Sequence, residues 1–519
     1  MAGQIAPLSP LRALLPVTLH KAIVDGKDNL DEIKALIHPE RVNSKDSFGA
    51  SSLKLACGNR DAVVIECVID AGADIHERMG RYEYTVLHVA AGAGYTALVQ
   101  RLLNDRANID VQSRDGRTPV FEACQNLQIA VVKMLMIAGA KLHLKAEKDW
   151  TCLHVAAAKC QEDLVEVLCS FLFKTPEHLN AKTKSGTVFP FQGYTPLYLA
   201  CQCNGKSKSV EALLKAEADV NALNGPENET VLHLAAKKGD EAQIRAFLEA
   251  GADVNAKTKS RLTPLFLAYL HGHIEAGRVL AEAGAFVNET CGPDGETSLY
   301  LVIRDGREGL AGYLLGKGGQ ANVKNKKHIA PLYAASQVGN YDAAEALLRA
   351  GAEINAVNGK NEERALYAAV NCGSAPLVRL LLQYQAKHFF VRDMSLLYLA
   401  CCQGNLGVAE ALLAYSSVVD AQCGTKGERQ TALHLVSQQG NVPLIRLLLQ
   451  SVRLEVKTED GKTALYLACQ NGHVEAARVL LSAGANIEMA GPTKDPQILA
   501  LIEEEKRKKI EVDRIPKNN

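Results

Sequence analysis

The sequence predicts an all-α repeat solenoid, built from stacked helix-turn-helix units joined by β-turn fingers. Three observations predict it. A six-residue phrase recurs along the chain at a nearly constant step. Each copy is followed, past a glycine, by a second segment with one apolar face. Each unit then ends in a small-residue stretch and a turn. Self-similarity at a period of this size is the signature of an array that grows by stacking rather than by enlarging one core.

The phrase is clearest as Thr195-Pro196-Leu197-Tyr198-Leu199-Ala200 and Thr263-Pro264-Leu265-Phe266-Leu267-Ala268. Its leucine, or the valine in one copy, marks each unit at positions 19, 53, 87, 120, 153, 197, 232, 265, 299, 332, 366, 397, 433 and 465. Most steps are 33 or 34 residues; the exceptions are 44, 35, 31, 36 and 32. Threonine suits the N-cap of a first helix and proline its first turn. The leucine and the alanines then face neighbouring units. Gly239 closes one such helix, and 242–248 reads as the second helix, with an apolar face. Ala250-Gly251-Ala252-Asp253 leads into the finger, whose tips elsewhere carry Asp115-Gly116, Asp294-Gly295 and Asp460-Gly461.

This phrase at this period resembles the ankyrin repeat, over roughly residues 17–490. The reading divides the chain into an N-terminal extension (1–16), an array of about fourteen repeats (17–490) and a C-terminal cap helix and tail (491–519). Fourteen units would make a curved rod on the order of 130 Å long. The step from Leu153 to Leu197 carries extra residues, some in the second helix near Phe171 and others in the finger at 186–193. The finger at 388–393 is short, and aromatic at Phe389 and Phe390. Past Gly484 the pattern stops, and 497–509 reads as one amphipathic helix, apolar first and charged later.

Composition limits the function. The 58 basic and 58 acidic residues cancel, which leaves no global field for nucleic acid or anionic lipid. No run of about 20 apolar residues occurs, so no membrane span is expected. The N-terminal residues lack the basic start of a secretory signal, and the 14 cysteines do not form a disulfide scaffold. Together these point to thiols in the cytoplasm, with the nucleus as a second compartment.

No constellation carries chemistry. His20, His88, His154, His233 and His434 follow the marker, where other units place Tyr198, Tyr333 or Phe121. A site that takes all three ring types serves shape and one hydrogen bond, not a metal. Cys57, Cys124, Cys201, Cys401 and Cys469 recur four residues after the marker, as small buried residues do. Gly205-Lys206-Ser207 and Gly461-Lys462-Thr463 mimic the end of a phosphate loop, but Ala200 and Val456 stand where its first glycine belongs. No cofactor, no metal site and no catalytic residue is expected, and the chain reads as a non-enzyme.

The resemblance implies that the ends of the first helices and the fingers line a concave groove. The fifth and sixth residues after each marker include eleven Asn or Gln, four Lys or Arg and two Asp. A phosphate-tracking groove needs a majority of cations; an amide-rich one suits a protein partner, with no small-molecule substrate. Expected contact residues are Phe189 and Phe191 of the long finger, Gln202, Lys237, Lys238, Leu270 and Arg304 of the groove, and Phe389 and Phe390. The resemblance also implies hydroxylation candidates at Asn221 and Asn355, each preceded by an acidic–aliphatic pair. The reading is an interaction scaffold or adaptor. Two others stand beside it: a substrate-recruiting subunit of a ubiquitin ligase, and a translocated microbial effector of the ankyrin type.

Overall fold

The structure is a computed structural model of the 519-residue chain. It describes residues 19, 21–23, 30–36, 39, 42–46, 48–172, 175–184, 193–203, 207–307, 309–387, 394–415, 420–423 and 429–513. They fall into two compact units, 1–284 and 285–519. Among the described residues every regular element is helical, and the β-structure is limited to isolated bridges within the fingers. The fold is an all-α repeat solenoid.

In the first unit, helix pairs run from Ser52–Asn59 with Ala62–Asp70 to Pro264–Leu270 with Ile274–Glu282. In the second they run from Ser298–Arg304 with Leu310–Gly316 to Ala464–Gln470 with Val474–Ser482, and the helix Pro496–Asp513 follows. First helices are 7 or 8 residues long and second helices 7 to 11. Helices this short do not hold by propensity; packing of their apolar faces holds them. All fourteen marker residues are at most 5% exposed, so the marker is the core of every unit. Each buried leucine contributes on the order of 2 kcal/mol. The alanines three residues on, such as Ala90, Ala123, Ala156 and Ala235, are fully buried and let neighbouring first helices approach.

The phrase works as a helix start. Thr118, Thr195, Thr263, Thr297 and Thr463 sit extended at the N-cap, and each hydroxyl accepts the backbone N–H three residues on, at 3.1–3.3 Å. Pro119, Pro196, Pro264 and Pro331 occupy the first turn, where no N–H is needed. Gly239 ends its helix at φ +70°, and a Cβ there would stand 2.4 Å from the ring of His273. Only glycine meets both demands.

Fingers join their neighbours by single backbone bonds. In the first unit the Arg114 N–H donates to Tyr82 O (2.8 Å), Glu147 N–H to Asp115 O (2.7 Å) and Lys184 N–H to Lys148 O (2.7 Å). In the second unit the Lys326 N–H donates to Asp294 O at 2.9 Å. The overlong repeat has a second helix of 11 residues, Glu162–Leu172, and a short extra helix, Pro176–Leu179. Phe171 is exposed there.

Candidate functional site

The histidines after the marker are structural. The Thr151 N–H donates to Nδ1 of His154 at 3.2 Å, so Nδ1 is the acceptor and the proton sits on Nε2. Nε2–H then donates to Ala181 O (3.0 Å) and Tyr194 O (3.2 Å) in the next finger. His88, His233 and His434 repeat the arrangement toward Arg117 O, Leu262 O and Lys462 O. Burial pushes the pKa of all four down, that of His154 to about 4, so they stay neutral. His20 lies outside the described residues.

Three units with tyrosine after the marker, at Tyr198, Tyr333 and Tyr398, solve the same problem differently. The Thr195 N–H finds Oδ1 of Asn224 in the next finger at 2.8 Å, and Tyr198 Oη donates to Glu229 Oε2 at 2.6 Å. Ala330 N–H uses Asn358 Oδ1 at 2.7 Å, with Tyr333 on Glu363; Ser395 N–H uses Cys423 Sγ, with Tyr398 on Gln430. Burial and the Glu229 carboxylate raise the pKa of Tyr198. Burial also pushes the Glu229 carboxyl up, but hydrogen bonds from Tyr198 and Lys237 outweigh it and hold its pKa below the ordinary value.

That network occupies several expected contact residues. Lys237 Nζ pairs with Glu229 Oε1 at 2.9 Å, and Lys238 Nζ donates to the carbonyls of Cys201 and Gln202 at 2.8 and 2.9 Å. Arg304 pairs with Glu296 at 2.7 Å and Asp305 at 3.1 Å. Lys237 and Lys238 are half-buried, whereas Gln202, Leu270 and Arg304 are exposed at the ends of their first helices. Phe189, Phe191, Phe389 and Phe390 lie outside the described residues.

Asn221 is exposed, and both of its polar side-chain atoms are engaged. Nδ2 donates to Gly251 O at 3.0 Å, and Oδ1 accepts the Asp253 N–H at 2.8 Å. Asn43, Asn288 and Asn322 make the same two-point link to the next finger. Oδ1 of the half-buried Asn355 accepts the Lys387 N–H at 2.8 Å. The sequence reading missed these links and the Tyr–Glu pairs. Their signal is an Asn or Glu at fixed offset, visible only once the units are laid over one another.

A cavity of about 360 Å³ opens beside Gln202. Phe121, Trp150, Val155, Ala158 and Leu199 wall it. Cys160 and Cys203 also line it, joined by a disulfide with a Cα–Cα distance of 5.8 Å. This single bridge departs from the reducing compartment to which the cysteine usage pointed. Cys160 takes the left-handed position (φ +57°) that ends a first helix and that glycine holds in other units. Cys203 leaves its own helix extended (ψ 124°) rather than continuing it. The two departures bring adjacent repeats within bridging distance. The remaining described cysteines are free, and burial pushes those of Cys57 and Cys401 up to about 12, which keeps them as unreactive thiols.

No helix among the described residues is long and apolar enough to cross a membrane. Comparison with known proteins finds that the family model described as ankyrin repeats (3 copies) matches residues 19–115, 64–146, 123–224, 197–291, 332–423 and 397–490. Rabankyrin-5 of Mus musculus is 33% identical over 192 residues, 36% of this chain and 15% of that protein. Human ankyrin repeat and SOCS box protein 16 is 30% identical over 259 residues, 48% of this chain and 47% of that protein. The human transient receptor potential cation channel subfamily A member 1 is 24% identical over 424 residues, 70% of this chain and 36% of the channel. The chain spans less than half the length of each of these relatives.

Proposed function

The chain belongs to the ankyrin-repeat family, and on that premise we propose that it is a non-enzymatic adaptor that binds another protein along the ends of its first helices and the adjoining fingers. One observation carries the reading. The polar side chains of the repeated phrase are taken up between neighbouring units, as at His154 and Tyr198, whereas the residues just past it are exposed and differ from unit to unit, as at Gln202, Leu270 and Arg304. Variation on a fixed scaffold is how such arrays discriminate between partners. The groove is amide-rich, which suits peptide backbone and polar side chains.

A second reading, a subunit that recruits substrates to a ubiquitin ligase, draws on the similarity to the SOCS box protein over 259 residues. For either reading we place the protein in the cytoplasm or nucleus. The Cys160–Cys203 bond weighs against that compartment, since reducing compartments keep such pairs as thiols.

The test is affinity capture with the intact chain, set beside a chain carrying Gln202→Ala, Leu270→Ala and Arg304→Ala together. A protein held by the first and lost at least tenfold from the second is the expected result. Ligase components among the captured proteins favour the second reading. Capture of nothing, or turnover of a substrate by the purified chain, removes the adaptor reading.

A further inference from the structure

We propose that the cavity walled by Phe121, Trp150, Val155 and Leu199 is a docking pocket for a linear peptide segment, in which a bulky apolar side chain is flanked by an acidic residue. The proposal rests on the adaptor reading and names the partner chemistry for one part of the surface.

The junction beside the cavity lacks the tyrosine–glutamate closure that two other junctions have. Three residues before the marker stand Glu229, Glu296 and Glu363 in other units, and Glu229 and Glu363 receive the hydroxyl of the preceding unit's tyrosine. At this junction both halves of that pair are replaced together. Phe121 has no hydroxyl, and Trp150 stands in place of the carboxylate. Ala158, the last residue of the helix Cys152–Ala158, lies between Gln125 and Gln202 at the same position of the flanking repeats, so the row is indented there. The walls that result are apolar: Phe121 and Val155 are buried and Trp150 half-buried. A pocket of this kind takes one anchor side chain, with a few polar groups at the mouth to orient it.

The mouth supplies those groups. Gln125 and Gln202 offer amides to a peptide backbone. The charges are Arg117, Lys148 and Lys159 against Glu122 and Glu147. Arg117 is matched to Glu122 at 3.1 Å and Lys148 to Glu147 at 3.8 Å. Lys159 is exposed, and no carboxylate among the described residues pairs with it. The excess positive charge therefore sits on one ammonium at the rim, beside the apolar opening. Its complement is a carboxylate next to the anchor.

Trp150 is the only tryptophan of the chain, so its emission reports occupancy of this pocket directly. The experiment selects random twelve-residue peptides displayed on phage against the intact chain, then titrates synthetic copies of the enriched peptides while following Trp150 emission. The expected result is enrichment of Phe, Leu, Met, Ile or Trp next to Asp or Glu, with saturable change in emission. Ala158→Phe, at an exposed helix end, fills the pocket and lowers affinity about tenfold or more. Lys159→Glu lowers it about tenfold, and a second selection on that variant loses the acidic flank. Enriched peptides without the acidic flank overturn the proposal. So does unchanged affinity in both variants, with thermal melts showing that they fold, or binding only of small apolar molecules. A chain that captures protein partners equally well with Ala158→Phe and Lys159→Glu loses this pocket but remains an adaptor. A chain that captures none loses both.

Discussion

At the scale of single residues, the repeated phrase is a device for satisfying one backbone N–H at a helix start. His154 does so with a ring nitrogen that must stay unprotonated. An unfolded histidine titrates near 6.5, whereas burial holds folded His154 near 4, so the unfolded chain binds the proton first. The stability His154 contributes is therefore complete above pH 6.5 and is lost as pH falls from there towards 4. His88, His233 and His434 shift in the same direction. Each contributes up to about 1.4 kcal/mol per pH unit within its window. Urea titrations at pH 7, 6 and 5 should show a falling midpoint, and His154→Asn should flatten the dependence. A midpoint that stays constant over this range contradicts the histidine account.

At the scale of elements, the helices were legible because their signals are local: the cap, the proline, the marker and the closing glycine fall in a stretch of ten residues, as from Thr263 to Gly272. The structural role of the histidines was legible too, from the side chains that replace them. Pairings between units were not. Lys237 reads as a free groove cation until Glu229 is seen beneath it, and Glu229 is held by Tyr198 from one unit earlier. Such a pair depends on how the finger folds back, which local pattern does not encode. The Cys160–Cys203 bridge was hidden for the same reason, since it depends on two helices ending in unusual backbone conformations. With a sequence separation of 43 between its ends, the bridge should stabilise the two repeats it joins by about 4 kcal/mol through loop closure. Cys203→Ser should raise amide exchange across residues 152–215 and leave the repeats around Leu53 unchanged. Protection that is identical with and without the bridge contradicts this.

At the scale of the whole molecule, repeats inside each of the two compact units pack on their neighbours in sequence, so the stability of each unit is a sum of repeat and interface terms. Unfolding of such an array is not bound to a single transition. In urea, the change in Trp150 emission, which reports on the first unit, should not coincide with loss of amide protection across residues 285–519. Superimposable curves would mean that the chain unfolds as one cooperative body. The two ways of closing a junction also differ in what they ask of the following unit. A histidine unit addresses a main-chain carbonyl, which any successor brings. The tyrosine units at Tyr198 and Tyr333 address an asparagine and a glutamate that only particular successors carry. Repeats are therefore not freely interchangeable. A unit can be duplicated or transplanted after a histidine junction with few constraints, whereas a tyrosine junction binds two units into one inheritable block.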